Sequence, residues 1–183
     1  MKRQEGYIRK EVVGIFERSG IQMRASTVQH YTDRGVVTPE ISNPGGKGTN
    51  RVYSKKNVLE LSIARELIKR GLGLDTVVKA FEIVRERFKI ADGRLVDFFD
   101  PGGPYMTAAV VYLYVYDHDD SSRFRVGAGW YLDLDKKMPD GFPENAMPQS
   151  LKKRYQPELD MRGHSSAIVL NVSELWTQIE SEV

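Results

Sequence analysis

Apolar residues recur at helical spacing through the first half of the chain. Over residues 7–18 they lie three and four positions apart, and Gly20 follows where a helix would stop. A second short helix is predicted over residues 24–34, with Val28 and Tyr31 three apart on its inward face. The first half therefore begins with two short helices joined by a tight turn.

The outer face of the second predicted helix is polar and basic, which is the layout of a helix-turn-helix. A stretch rich in Gly, Pro, Asn and Ser follows over residues 42–50, between the short extended pieces 36–39 and 51–53. This pattern predicts a hairpin with a long tip that carries Lys47 and leads into Arg51. The tip is either a wing that lies along a phosphate backbone or a glycine-rich loop without a binding role.

Two further amphipathic helices are predicted after this loop. Ser54 is placed to cap the first, which has a wide apolar stripe and ends at Gly71. Asp75 is placed to cap the second, which continues to about Ile90. We expect both apolar stripes to be core.

The second half alternates instead with period two. Strands are predicted over residues 105–117 and 123–133, joined as a hairpin, and over residues 167–172. Ser173 is placed to cap a terminal helix with Leu175, Ile179 and Val183 on its buried face. The predicted fold class is α+β, with an N-terminal all-α winged helix-turn-helix domain followed by a small antiparallel-sheet α+β domain. The predicted boundaries are 1–91, a linker at 92–104, and 105–183.

Composition narrows the possible functions. The 183 residues are 40% hydrophobic and 28% charged, as in a globular protein, and no residue is cysteine. We therefore expect no disulfide, no thiolate metal site and no cysteine nucleophile. The N-terminus lacks the apolar segment of a signal peptide and no apolar run is long enough for a spanning helix, so we expect a soluble, cytoplasmic protein.

Charge is divided unevenly along the chain. Residues 1–91 carry 18 Lys and Arg against 10 Asp and Glu, whereas residues 92–183 carry 9 against 15. A basic half beside an acidic half favours a polyanion as the partner of the first half, although chance clustering of solvated charge produces the same pattern.

The order of motifs resembles the MerR family of transcription regulators over about residues 7–90. The run Thr27–Pro39, the triplet Arg51–Tyr53, and a helix leading to Gly71–Asp75 match the family's helix-turn-helix, wing and helix pair. Gln29 and His30 stand where the family often has arginine and tyrosine, and the glycine-rich wing insertion is longer than usual. The family's long coiled coil has no counterpart in the pattern after residue 90.

The resemblance implies which residues meet DNA. In the second helix they are Arg24, Ser26, Thr27, Gln29 and His30, and in the wing Lys47, Arg51 and Tyr53. Arg24 and Arg51 are the strongest candidates, because a guanidinium grips phosphate through two hydrogen bonds. Gln29 either reads adenine through its amide or is merely solvated, and Tyr53 is either a wing contact or a core residue at the base of the wing.

The predicted sheet offers a weaker candidate site. A flat apolar effector would stack on Tyr112, Tyr114 and Trp130, although packing against protein is the more common role of an aromatic strand face. The carboxylates around His118 are ordinary turn formers, and His164 has no recognisable catalytic partner. We therefore expect no metal site, no cofactor and no enzymatic activity.

The sequence thus predicts a MerR-like regulator that binds double-stranded DNA at a promoter as a homodimer. Because cysteine is absent, its C-terminal domain would respond to a small organic effector or a protein partner rather than to a thiolate-bound metal. The alternative is a ligand-free DNA-binding or adaptor protein whose acidic half docks another protein.

Overall fold

The computed structural model describes residues 6–42, 50–87, 101, 109–117, 124–132 and 167–183. Its helices are α1 (Arg9–Arg18), α2 (Ala25–Asp33), α3 (Lys55–Lys69), α4 (Leu74–Arg87) and α5 (Val172–Glu180). Its strands are β1 (Tyr7–Ile8), β2 (Val52–Tyr53), β3 (Ala109–Asp117), β4 (Phe124–Leu132) and β5 (Ala167–Asn171). Helices in the first half and a small antiparallel sheet in the second confirm the coarse α+β prediction.

The chain divides into two units. The first comprises Met1–Phe81 together with Leu175–Val183, and the second comprises Glu82–Glu174. The end of the terminal helix, from Leu175 onward, thus groups with the first half of the chain. Three polar contacts tie this end to α1 and α3: Arg18 with Glu182, Gln178 with the carbonyl of Ser19, and Lys55 with the carbonyl of Val183.

The core of the first unit contains the apolar faces that helical spacing predicted. Val12, Ile15 and Phe16 of α1 are buried, as are Val28 and Tyr31 of α2. A wider buried stripe on α3 includes Val58, Leu61, Ala64 and Leu67. The two short helices are thus fixed to a common core through their apolar faces.

Turn chemistry ends the helices where the sequence indicates. Gly20 follows α1 and Gly35 follows α2, both with positive φ (71° and 74°). After each glycine the next residue donates its N–H back into the helix, from Ile21 to the carbonyl of Phe16 and from Val36 to that of Tyr31. These bonds form a Schellman motif, which satisfies carbonyls that a helix end leaves free.

The N-terminal domain was predicted to be all-α, but the structure also contains two short strands there. Tyr7 and Ile8 form β1 instead of the first turn of α1, and they pair antiparallel with Tyr53 and Val52 of β2. On the other side, Val52 forms an isolated antiparallel bridge with Ser42. A strand from the N-terminus therefore completes the base of the predicted wing.

Two helix caps also differ from the predictions. Helix α4 begins at Leu74, so Asp75 lies in its first turn rather than at its cap. Helix α5 begins at Val172, and Asn171 accepts from the N–H of Glu174 at 3.0 Å in place of the predicted cap Ser173. Ser54, in contrast, caps α3 as predicted and accepts from the N–H of Asn57 at 3.2 Å.

The second unit contains a three-stranded antiparallel sheet of order β4–β3–β5. Its outer register positions pair Asp117 with Phe124 and Ala109 with Leu132 across the β3–β4 hairpin. The predicted antiparallel strands and the third strand are therefore confirmed over the described residues, whereas predicted ends such as 105 and 133 lie outside them.

Candidate nucleic-acid interface

Helix α2 is held by its inward side and leaves the opposite side open. Val28 is fully buried and Tyr31 nearly so, while Ser26 and His30 are exposed. Burial raises the pKa of the Tyr31 hydroxyl, and the charge of Arg65 opposes that shift. The polar side of α2 is thus presented outward on a rigid element.

The turn before α2 is fixed from α3. Arg65 donates from Nε to the carbonyl of Gln22 at 2.8 Å, and Ile21 and Met23 on either side of Gln22 are buried. These contacts set where α2 begins and hence where its first turn lies.

Arg24 occupies the N-cap position of α2. Its backbone is extended and its carbonyl accepts from the N–H groups of Thr27 and Val28. The side chain is exposed and makes no hydrogen bond or ion pair with the described residues. A guanidinium without a partner among the described residues therefore lies at the N-terminus of α2. The first turn of α2 has no acidic residue, and a helix N-terminus attracts anions.

Gln29 is held at both ends of its amide. Its Oε1 accepts from Nη1 of Arg9 at 2.5 Å, and its Nε2 donates to Oδ1 and Oδ2 of Asp33 at 2.7 and 2.8 Å. Asp33 Oδ1 also accepts from Nη1 of Arg51 at 2.7 Å. We call Arg9, Gln29, Asp33 and Arg51 the interface chain; it crosses the outer side of α2 from α1 to the wing base.

The contacts of Asp33 favour the ionised form of its carboxyl. The hydrogen bond from Gln29 and then that from Arg51 hold the pKa of its carboxyl below the usual value. Because the Asp33 carboxylate pairs with Arg51, it places that guanidinium beside α2 and fixes its direction.

The wing is described only at its base. Arg51 directly precedes β2 and is partly exposed, whereas Lys47 lies outside the described residues. The predicted hairpin is represented by the Ser42–Val52 bridge, with N–H to carbonyl distances of 3.3 and 2.8 Å.

Tyr53 is a core residue. Its side chain is fully buried, and its hydroxyl lies 3.0 Å from Oγ1 of Thr32. Of the two roles that the sequence left open, a wing contact or a core residue at the base of the wing, the structure shows the second. The expected wing contact of Tyr53 is therefore corrected. Its side chain instead joins β2 to α2 within the core.

Two members of the interface chain were missed by sequence reasoning. Asp33 stands four residues after Gln29, a spacing at which amide and carboxylate side chains meet on a helix, so that signal was available. Arg9 stands 20 positions from Gln29. No local pattern reveals a contact between residues so far apart in the chain.

The proposed effector residues are described through their backbone alone. Tyr112 and Tyr114 pair with Gly129 and Gly127 of β4, while Trp130 pairs with Val111. Because paired residues share a face of the sheet and successive residues alternate, Trp130 lies on the face opposite that of Tyr112 and Tyr114. The backbone therefore does not bring the three residues together on one face.

Within the described ranges there is no group of three or more His, Asp or Glu placed to hold a metal ion. No helix in those ranges is long and apolar enough to cross a membrane.

Comparison with known proteins bears on the same segment. Residues 19–82 match the model of the MerR HTH family regulatory proteins. An 80-residue segment is 30% identical to an uncharacterized HTH-type transcriptional regulator of Mycobacterium bovis and, equally, to one of Mycobacterium tuberculosis. The match covers 42% of this chain and 36% of each relative, so the chain spans little more than a third of their length. The resemblance drawn from the motifs is thus confirmed over this segment.

Proposed function

We propose, from the MerR-type helix-turn-helix sequence of residues 19–82, that the protein is a DNA-binding transcription regulator. The observation that carries the proposal is the outer side of α2, where the unpaired Arg24 precedes Ser26 and His30, all exposed. In a helix-turn-helix the N-terminal part of the second helix contacts base edges in the major groove. Here α2 is that helix.

The roles of individual residues follow from their positions. Arg24 and Arg51 contact phosphates, since guanidinium donors match phosphate oxygens. Ser26 and His30 face the groove, and Thr27 is half-buried beside them. Lys47 lies outside the described residues, and its contact with the DNA backbone is proposed from the family resemblance alone.

The proposal includes a homodimer on a two-fold site, because a single short recognition helix contacts few base pairs. It further includes control through the second unit by an organic effector or a protein partner. An effector that binds the native protein raises its melting temperature. Thermal-shift screening of organic ligands, with Tyr112→Ala and Tyr114→Ala as variants on one face of the sheet, tests this part. Stabilisation unchanged in both variants rejects an aromatic site on that face.

The first experiment compares two DNA duplexes. Fluorescence anisotropy measures binding of the full chain to DNA from its own promoter region and to a scrambled duplex of equal length and composition. We expect the promoter duplex to bind at least about 1,000-fold more tightly, the lower end of specificity ratios for regulators. Equal, weak binding of both duplexes contradicts the proposal and favours the adaptor alternative, in which the acidic half docks a protein.

A further inference from the structure

Arg9 stands at the first position of α1, and it is exposed. Its Nη1 donates to Oε1 of Gln29 at 2.5 Å, so the side chain reaches across to the outer side of α2. Gln29 is neutral, and no carboxylate among the described residues pairs with Arg9. The guanidinium has five N–H donors, and Gln29 accepts from only one of its nitrogens. Arg9 therefore retains its charge and several donors.

The same hydrogen bond also bears on whether Gln29 can read a base. A glutamine that reads adenine uses its amide oxygen and nitrogen together, one as acceptor and one as donor. In this protein Arg9 occupies the oxygen and Asp33 occupies the nitrogen. The oxygen keeps one lone pair, but both contacts of the nitrogen go to Asp33, so the amide does not offer a base the acceptor and donor together.

The interface chain instead orders two arginines around α2. Arg51 is placed from one side through Asp33, and Arg9 from the other through Gln29. The charge of Arg51 is paired with a carboxylate, whereas that of Arg9 is not. A phosphate would therefore neutralise an unpaired charge at Arg9, whereas the charge of Arg51 is already paired.

We propose that Arg9 contacts a DNA phosphate and that Gln29 is a positioning residue that holds Arg9, not a reader of bases. The inference rests on the proposed function and adds to it a contact from α1. It makes the interface a surface of three elements, with α1 beside α2 and the wing base.

The test uses Arg9→Ala in the anisotropy assay on both duplexes over a salt series. We expect binding to weaken about tenfold on promoter and scrambled DNA alike, because a phosphate contact carries no base information. The slope of log affinity against log salt should decrease by about one. Arg9→Lys keeps the charge and should keep the slope. Lys79→Ala, which removes an exposed cation from α4, is the matched control and should leave both quantities unchanged.

The positioning role of Gln29 has its own readout. Gln29→Ala should weaken binding in the wild-type background and have no further effect in Arg9→Ala, because it acts through Arg9. The order of preference among duplexes with single adenine replacements should be unchanged in Gln29→Ala. Additive losses, or a lost preference at one adenine, would overturn the positioning role.

The outcomes separate this inference from the proposed function. Promoter-specific binding that Arg24→Ala weakens and Arg9→Ala does not would overturn the inference and leave the function standing. An absence of specific binding in the wild type would reject the function itself. Circular dichroism of each variant checks that the helices are retained.

Discussion

Asn57→Ala should lower the free energy of unfolding of the first unit by about 3 kcal/mol, because it breaks a fully buried polar junction. Asn57 Oδ1 accepts from the N–H groups of Glu40 and Ser54 at 2.9 and 3.1 Å. Its Nδ2 donates to the carbonyl of Thr38 and to Oε2 of Glu60, at 3.1 and 3.0 Å. Every donor and acceptor of the amide is therefore in use.

The expected loss of stability is large because the polar groups that bond to Asn57 remain after the substitution without that partner. Glu60 is 1% exposed, and removal of the amide leaves a buried carboxyl oxygen without that donor. The segment at Thr38 and Glu40, which leads to the wing, also loses two of its hydrogen bonds to α3, and within the described ranges only the Glu40 carboxylate stays bound there, by Ser54 and Lys56. Urea unfolding followed by far-ultraviolet circular dichroism measures the change.

Ser62→Ala is the matched control on α3. Ser62 is equally buried, but its hydroxyl donates only to the carbonyl of Leu59 within the same helix, at 2.7 Å. We expect this variant to lose about 1 kcal/mol, the net worth of one ordinary hydrogen bond. Equal losses in the two variants would show that Asn57 is not a junction between the wing segment and α3.

Ile179→Asp should loosen α1 and α3 although it lies at the other end of the chain. Ile179 is fully buried, and Trp176 beside it on α5 is 5% exposed. Introduction of a carboxylate at such a position typically costs more than about 3 kcal/mol, from lost packing and from desolvation of the charge. Because Leu175–Val183 belongs to the first unit, that cost should fall on the helix-turn-helix.

Amide hydrogen exchange of the full chain locates the effect. In Ile179→Asp we expect faster exchange at buried positions of α1 and α3, such as Phe16 and Leu61. Ser181→Asp introduces the same charge at an exposed position and should leave these amides unchanged. Faster exchange confined to β5 and α5 would contradict the assignment of Leu175–Val183 to the first unit.

Local chemistry explains which parts of the fold were predictable. The glycines after α1 and α2, the Ser54 cap and the buried spacing of Val28 and Tyr31 each act within a few residues. Sequence patterns report such interactions directly. The apolar stripe of α5 is equally visible in the sequence. A stripe does not indicate which surface will cover it, so the pattern alone does not place Leu175–Val183 in the first unit.

Interactions between distant residues account for the remainder. Strand β1 has only two residues, too few for a period, and it exists because Val52 and Tyr53 pair with it. The helical pattern therefore extended α1 over Tyr7 and Ile8. The residues of the candidate site likewise comprise some that the sequence indicates and others that depend on contacts between distant positions. The family resemblance implies a DNA contact for Arg24, at the start of α2, whereas the role of Gln29 depends on Arg9, which only the fold brings near.

Salt-dependent binding of Arg24→Ala and Arg51→Ala tests most directly whether α2 and the wing base form a DNA-binding surface, as we claim. We expect each variant to bind promoter DNA more weakly and to lower the salt slope by about one, as loss of one phosphate contact requires. Lys79→Ala should match the wild type. Variants of Arg24 and Arg51 with wild-type affinity and slope would contradict the claim and place any DNA contact elsewhere on the protein.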